Sequence, residues 1–282
     1  MSLHTKVSGV WKEITTGNIF VKDSGVWKDV ANIFVNVSGT WTSMIFTPGN
    51  VTYTSSGTFA VPLGTNNLLI ECWGGGGSGG SGWFGAAYPP ASNNTSGDPS
   101  YVTMTNGQTI GAEGGERGEI ASIDKHGNQT LGQGGDGGGN YGDFTPTLTL
   151  VGVNGEGGAT TLCAPSRHRL GGRGQTINLL APLVGTPATL ICGENSYGGK
   201  TGIAVGGGGS GSKDIGGNIA VPPRAPGGGG GGGYVSRLFS INSYFVGGSN
   251  LSFVVGAGGL VSTGGVLEGG AGATGQIKFT WS

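Results

Sequence analysis

The hydrophobic and polar positions of the first fifty residues repeat three times. Ser-Gly-x-Trp occurs in VSGVWKEI, DSGVWKDV and VSGTWTSM, which place tryptophan at Trp11, Trp27 and Trp41. Each unit pairs a short apolar strand with a Ser-Gly turn and a second strand that carries the tryptophan, a pattern typical of a β-hairpin. Because one hairpin cannot bury its own apolar face, the three units are expected to stack into a small pseudo-threefold domain.

The three tryptophans have two interpretations. They can form the core of this small domain, or one face of the domain can meet a partner that has true threefold symmetry. Tryptophan is a favoured anchor at interfaces, and a domain of about 50 residues has little core of its own. A threefold body on the end of a trimer would allow a single copy to contact all three subunits.

Strand patterns return on both sides of the glycine-rich body that follows. GTFAVPLGTNNLLIECW runs directly into the first glycine block, and TGQIKFTWS closes the sequence. Between the last blocks, YVSRLFSINSYFVGGSNLSFVVG has the same character. Alternation of apolar and polar residues, as in QIKF, predicts β-strands, and no stretch shows the period of an α-helix.

The glycine blocks themselves have a period of three. Glycine accounts for 66 of the 282 residues, far above the roughly 7% that is usual. Inside the blocks the other residues tend to stand three apart, as Glu113 and Glu116, Gln133 and Asp136, and Ala257 and Leu260 do. A flexible linker has no reason for this period, whereas a polyproline-II-like helix has three residues per turn.

Such helices, which we call rods, make no internal hydrogen bonds, so each backbone N–H and C=O needs an outside partner. Without side chains, rods can approach to about 4.8 Å and bond sideways to one another. Two of three positions are glycine, which predicts two packed faces and one face in water. The seven glycines of 227–233 leave no free face, which predicts a central position.

Ten blocks can be counted. They begin near Gly74, Gly111, Gly132, Gly155, Gly171, Gly198, Gly206, Gly227, Gly256 and Gly264. If successive rods run antiparallel, the connections alternate between two ends of the bundle. On this count the far end, opposite the N-terminal domain, receives residues 83–110, 140–154, 175–197, 212–226 and 260–263. The near end receives residues 119–131, 161–170 and 203–205.

The far-end connections are rich in aromatic residues and prolines, and loops of this kind on a rigid scaffold are typical of binding surfaces. The alternative is that individual aromatic side chains fold back and cap the rods. The candidate contact residues are Trp83, Phe84, Tyr88, Tyr141, Phe144, Leu179, Leu180, Lys213 and Arg224.

Charge and cysteine content narrow the classes of function. The formal net charge is −1, which disfavours nucleic-acid binding. No apolar run reaches the roughly 18 residues of a membrane span, and the N-terminus has no signal-peptide pattern. The three cysteines have no metal-like spacing, so we expect buried thiols, no disulfide framework and synthesis in the cytoplasm.

Catalytic patterns are weak. GENSYGGKT has Glu194 where a phosphate-binding loop needs glycine, and no helix pattern follows it. The three histidines are too scattered to predict a metal site, and no cofactor motif is present. A pair of carboxylates for sugar cleavage would have to come from Asp98, Asp143 or Asp214, across different loops. The sequence therefore predicts a protein that is not an enzyme.

The combination of these features resembles a known family. Three Ser-Gly-x-Trp repeats, the entry VPLGTNNLLIECWGGGGSGG, glycine blocks with dissimilar loops and the closing GGAGATGQIKFTW are similar to the distal tail-fibre adhesins of T-even-like bacteriophages. The resemblance covers essentially the whole sequence. It implies an all-β and irregular fold, with an attachment domain over 1–48 and a polyglycine-II sandwich of about ten rods, framed by β-strands, over 49–282.

The resemblance also implies a function. One copy would cap the trimeric shaft of the long tail fibre through Trp11, Trp27 and Trp41, and its variable loops would bind a bacterial outer-membrane protein, sometimes with lipopolysaccharide. The protein would belong to the virion without inserting into a membrane, and the receptor cannot be named from it. Two alternatives stay open: a chaperone of fibre assembly and a depolymerase of surface polysaccharide.

Overall fold

The structure, a computed structural model, is described for the following parts of the chain. These are residues 4–7, 10–13, 20–23, 25–29, 34–37, 40–43, 47–80, 94–119, 122–123, 129–130, 133–151, 162–163, 168–169, 202, 205–209, 227–241, 244–261 and 269–282. Within these residues the secondary structure is β-strand, turn and extended backbone, with no helix. The chain is therefore all-β in its described parts, as its alternating patterns predict.

The N-terminal region forms three two-stranded antiparallel hairpins. Their strands are β1 (His4–Val7), β2 (Val10–Glu13), β3 (Phe20–Asp23), β4 (Val26–Asp29), β5 (Phe34–Val37) and β6 (Thr40–Ser43). Trp11 pairs with Lys6, Trp27 with Lys22 and Trp41 with Asn36, so each tryptophan has the same place in its hairpin. Gly25 has a φ of 84°, the left-handed conformation that explains the glycine of the Ser-Gly turn.

Fourteen further strands follow in the described residues. They are β7 (Gly49–Tyr53), β8 (Gly57–Ala60), β9 (Asn67–Trp73), β10 (Ser100–Thr103), β11 (Thr109–Ala112), β12 (Ser122–Ile123), β13 (Gln129–Thr130), β14 (Asn140–Gly142), β15 (Leu148–Leu150), β16 (Leu162–Cys163), β17 (His168–Arg169), β18 (Tyr234–Ser240), β19 (Asn250–Val254) and β20 (Gln276–Trp281). Two antiparallel sheets have five strands each, in the orders β14-β11-β10-β19-β8 and β15-β18-β9-β20-β7. The pairs β12–β13 and β16–β17 are short separate hairpins.

The hydrophobic core contains the inward-facing residues of both large sheets. Strand β9 alternates between partly exposed and buried positions, and Leu68, Ile70 and Cys72 are fully buried. Across the core, the rings of Phe59 and Phe279 stack with their centroids 4.2 Å apart. Burial raises the pKa of the Cys72 thiol far above its usual range, so this cysteine stays protonated and serves as a packing residue.

The outer face of the second sheet carries a polar cluster around Glu71. Lys278 Nζ lies 3.1 Å from Glu71 Oε2, and the Tyr234 hydroxyl donates a hydrogen bond of 2.9 Å to Glu71 Oε1. Burial, together with the negative charge of Glu71, raises the pKa of Tyr234 to about 12. Tyr234 therefore remains a neutral donor at physiological pH, and the cluster ties three neighbouring strands together.

Extended segments continue from the ends of the strands, and their hydrogen bonds have a period of three. Gly74, Gly77 and Gly80 donate to Gly233, Gly230 and Gly227, respectively. The residues between them bond to other segments. The described residues include eight such extended segments, which we also call rods and which together form the bundle: 74–80, 94–98, 113–119, 133–139, 205–209, 227–233, 256–261 and 269–275.

The rod 74–80 lies inside the bundle and has six described neighbours. It donates backbone hydrogen bonds to three rods: 227–233, 94–98 and 269–275. It accepts them from three others: 113–119, 205–209 and 256–261. A β-strand bonds to only two neighbours, so a rod with six neighbours needs glycine at nearly every position, and in 74–80 only Ser78 carries a side chain.

Strand register carries over from the sheets into the bundle. Trp73 pairs with Tyr234 in the second sheet, and the next bond in the same register joins Gly74 to Gly233. Rods that continue from opposite sheets also bond to each other, as when Gly115 donates to Gly75. Stacked sheets lie about 10 Å apart because of their side chains, whereas glycine backbones meet at about half that distance. The two sheets therefore merge into one bundle where the side chains stop.

Exposure follows the period of three that the sequence predicts. Glu113, Glu116, Gln133, Asp136, Ala257 and Leu260 are all exposed. All seven glycines of 227–233 are buried, as their composition predicts. Ser78 is an exception, because it is fully buried and its hydroxyl donates a hydrogen bond of 2.9 Å to the Thr95 carbonyl oxygen.

One rod was not predicted from the sequence. Residues 94–98, with the sequence NTSGD, contain a single glycine and yet bond to the bundle like the others. Thr95 and Asp98 accept hydrogen bonds from Ser78 and Gly75 through their backbone carbonyls, while their side chains are exposed. This rod lies at the surface of the bundle, where only the packed positions must be small. Because this rod was not counted, the described parts of the next connections lie at the opposite end of the bundle from the end that the sequence predicts.

Candidate functional site

The far end of the bundle is defined by the rod ends most distant from the sheets. Rods that directly follow a strand start at the sheets and run to the far end. Rods that directly precede a strand start at the far end and run back to the sheets. The far end consists of Gly80, Asn94, Glu119, Gln133, Gly227, Val261 and Gly269. The connections 81–93, 120–132 and 262–268 have both flanking residues at this end, and 210–226 rejoins the bundle there at Gly227. The described part of the rod 205–209 runs towards the same end and stops at Gly209, at the level of Gly77 and Gly229.

A set of side-chain hydrogen bonds fixes the point where the chain re-enters the bundle after residue 93. Asn94 is 1% exposed, and its Nδ2 donates a hydrogen bond of 2.7 Å to the Gly79 carbonyl oxygen. Arg117 Nη1 donates to the Asn94 carbonyl oxygen at 2.8 Å, and Leu260 N donates to Thr95 Oγ1 at 2.9 Å. The first connection thus has both of its ends held by neighbouring rods.

The connection 119–131 was predicted to lie at the near end, and this prediction is wrong for its described residues, 119, 122–123 and 129–130. Glu119 N donates to Gln133 O at 2.9 Å, and β12 and β13 continue in the same register, with Ser122 opposite Thr130. The hairpin therefore extends the far end of two rods. The unpredicted rod 94–98 reverses the direction of the rod 113–119, which is why the alternation was counted incorrectly.

The connection 140–154 was predicted to lie at the far end, and its described part instead belongs to the sheets. Strand β14 pairs with β11, and β15 pairs with β18. Tyr141 is 36% exposed and its ring lies 5.2 Å from that of Tyr101, across the side-chain-free Gly111. Tyr141 is therefore at the surface, but on the outer face of a sheet and away from the far end.

Phe144 was predicted to lie exposed in a far-end connection, and the structure places it in the core instead. The side chain is 5% exposed and makes edge-to-face contacts with Phe239 at 5.1 Å and Tyr244 at 4.9 Å. The Arg237 guanidinium lies 4.7 Å from the centre of the same ring and donates to the Thr145 carbonyl oxygen at 2.8 Å. Phe144 therefore closes one side of the core. This position agrees with the alternative given above, in which an aromatic side chain folds back instead of facing a partner.

Replacing Phe144 with alanine is expected to lower the free energy of unfolding by about 3–5 kcal/mol, because it empties a packed aromatic site. Chemical denaturation followed by fluorescence measures the change. Tyr141→Ala is the control and is expected to cost less than half as much, because the ring is partly exposed. Equal and small losses in both variants would contradict the buried position of Phe144.

Most of the predicted contact residues lie outside the described residues. These are Trp83, Phe84, Tyr88, Leu179, Leu180, Lys213 and Arg224. Trp83, Phe84 and Tyr88 belong to the connection whose ends are Gly80 and Asn94, and Lys213 and Arg224 to the one between Gly209 and Gly227. Residues 83–110 and 212–226 were predicted to lie at the far end. Of these, residues 100–103 and 109–110 instead belong to the strands β10 and β11, whereas Gly80, Asn94 and Gly227, which flank the parts outside the described residues, lie at the far end.

The surface of the bundle is polar in its described part. The carboxylates at Glu113, Glu116 and Asp136 follow the exposed edges of two rods. Asp143 Oδ2 accepts hydrogen bonds from Thr109 N and Thr109 Oγ1 at 2.8 and 3.0 Å, which is a structural role. Asp214 lies outside the described residues.

Among the described residues, no group of histidine, cysteine, aspartate and glutamate side chains could hold a metal ion. The described part of the chain also has no helix with the length and apolarity that crossing a membrane requires.

Comparisons with known proteins do not assign the chain to a family. No protein-family model matches the chain. A search of curated proteins finds no relative above the threshold of significance. The class that the described structure defines is an all-β protein with two antiparallel five-stranded sheets and a hydrogen-bonded glycine bundle.

Proposed function

We propose that the protein is a receptor-binding adhesin at the tip of a bacteriophage tail fibre. The observation that carries the proposal is that three connections start and end at the far end of a glycine bundle and that a fourth rejoins the bundle there at Gly227. A rigid scaffold that collects dissimilar loops at one end is the usual design of a binding surface. This architecture agrees with the family resemblance of the sequence.

We further propose that the rods form a polyglycine-II sandwich of about ten members. Two observations support this: the hydrogen bonds repeat every third residue, and the rod 74–80 has six neighbours. Three residues per turn would aim successive amides in three directions, and glycine would let all three find a partner. A bundle of this kind resists bending, so it keeps the four connections in a fixed arrangement.

The hairpins of residues 4–43 are proposed to attach the protein to a trimeric fibre shaft. Thr47 is held by Trp281, whose Nε1 donates to the Thr47 carbonyl oxygen at 2.8 Å, at the end of the sheets opposite the bundle. Only residues 44–46 separate it from β6, a reach of about 14 Å at most. The hairpins would thus sit at one end of the molecule and the variable connections at the other.

Binding to whole bacteria tests the proposed function directly. Purified fluorescent protein should bind to bacteria that the parent phage infects, and lose binding to mutants lacking one outer-membrane protein. The adhesin would be present in finished virions in the ratio of one copy per shaft trimer. Release of sugar from purified envelope would instead support the depolymerase, and absence from virions would support the chaperone.

Replacing Trp11, Trp27 and Trp41 by serine, singly and together, tests the attachment. Each single variant is expected to bind the shaft about 30-fold more weakly, as loss of a 2 kcal/mol interface anchor implies, and the triple variant not at all. Surface plasmon resonance with immobilised shaft measures the affinities. Binding of the isolated variants to bacteria should be unchanged. Full shaft affinity in the triple variant would exclude this attachment mode.

A further inference from the structure

The end of the sheets opposite the bundle, which we call the base, exposes apolar side chains. The connections at this end include residues 61–66, 104–108 and 241–249, of which 242–243 lie outside the described residues. Leu63, Ile241 and Val246 are 54%, 50% and 52% exposed. These are large hydrophobic side chains for which the described structure offers no cover.

The three side chains belong to one connected surface. Val61 N donates to Ser249 O and Gly248 N donates to Val61 O, both at 2.8 Å, so the first and last of these turns lie side by side. A Cβ on Gly248 would lie 3.0 Å from Leu63 Cδ2, which shows how closely Leu63 covers that turn. Ile241 N donates to Asn66 O at 2.7 Å and adds the third side chain.

The three turns named above contain no charged residue, although the connection between β14 and β15 at the same end places the exposed Asp143 beside Thr109. Residues 61–66, 104–108 and 241–249 contain no aspartate, glutamate, lysine or arginine. By contrast, the rod 113–119 alone carries Glu113, Glu116, Arg117 and Glu119. Depletion of charge combined with exposed aliphatic residues is typical of the centre of a protein–protein interface, and it disfavours an acidic or basic partner.

We propose that the base is a second docking surface for the fibre shaft, in addition to the N-terminal hairpins. The proposal rests on the proposed function. The three-residue connection 44–46 keeps Ser43, the end of β6, within about 14 Å of Thr47, so a shaft bound close to the third hairpin would also lie close to the base. The shaft surface that fits these three turns is apolar. With two contact regions, the angle between the adhesin and the fibre axis would be fixed. The connection 44–46 alone would leave this angle free.

Shaft affinity of the full-length double variant Leu63→Ser/Val246→Ser tests the proposal. We expect binding about tenfold weaker than that of the parent protein, with an unchanged melting temperature because both side chains are half exposed. Leu260→Ser is the matched control: that leucine is 66% exposed but lies in a rod near the far end, and its replacement should leave shaft affinity unchanged. Unchanged affinity in the double variant would overturn the proposal.

Hydrogen exchange of the unmodified adhesin provides an independent readout. Shaft binding should slow exchange at residues 61–66 and 241–249, whereas unchanged exchange there would overturn the base contact. The isolated adhesin could instead form a dimer at high concentration that the double variant abolishes. That result would assign the base to a second copy of the adhesin and would also overturn the proposed shaft contact. If the parent protein does not bind the shaft at all, the proposed attachment function itself fails.

Discussion

Replacing Gly77 with alanine is expected to prevent the protein from folding stably. A Cβ at this position would overlap the carbonyl group of Glu116 in the adjacent rod. That obstacle is backbone, held in turn by the hydrogen bond from Glu116 N to Asp136 O. Relief requires the rods to move apart, which breaks several hydrogen bonds at once. We expect a loss of more than about 3 kcal/mol, measured by chemical denaturation or as loss of soluble protein.

Gly139→Ala provides the matched control in the same bundle. The nearest atom to a Cβ at Gly139 is Glu113 Oε2, 3.2 Å away, at the end of a flexible side chain. This variant is expected to stay within about 1 kcal/mol of the parent protein. If both alanines are tolerated equally, the rods are not packed closely enough for glycine to be required, and the bundle is wrong.

Exchanging residues 81–93 for the corresponding loop of another adhesin is expected to change the range of bacteria bound. The exchange should stop at Gly80 and Asn94, since Asn94 holds the chain to Gly79. We expect the affinity for the original host to fall at least about 100-fold, because the exchange is expected to remove two hot-spot residues of the interface. Flow cytometry with fluorescent protein measures binding, and the melting temperature should remain the same.

A substitution on the sheet surface separates this result from a general effect. Tyr141→Ser alters an exposed aromatic residue outside the far end and should leave host binding intact. The exchange of residues 120–132, which extend two rods at the far end, should alter binding as well. If host binding follows Tyr141 and ignores both exchanged loops, the receptor site lies on the sheets instead.

Much of the fold could be predicted from local pattern. Serine-glycine turns and alternating apolar residues predict the hairpins around Trp11, Trp27 and Trp41, and three-residue spacing predicts the exposed edge at Glu113 and Glu116. These features depend only on neighbours in sequence. The buried central position of 227–233 was also predictable, because seven glycines leave no side chain for a water-facing side.

The placement of the connections could not be predicted, because it depends on counting every rod. The rod 94–98 escaped detection since a surface rod needs glycine only where another rod touches it, and NTSGD satisfies that with Gly97. Because successive rods run in opposite directions, missing one rod assigns the next connections to the wrong end of the bundle. Phe144 shows a second limit: an aromatic residue in a connection can bind a partner or close the core, and composition does not distinguish the two.

Hydrogen exchange with and without host outer-membrane vesicles tests the central claim most directly, because it reports on the bundle and on the binding end together. In the free protein we expect amides of 74–80 and 227–233 to exchange as slowly as those of β9. With vesicles, new protection should appear in 81–93 and 120–132 and be absent from 61–66. Rods that exchange as fast as an unstructured chain, or new protection confined to the base, would contradict a rigid glycine bundle that presents its binding loops at the far end.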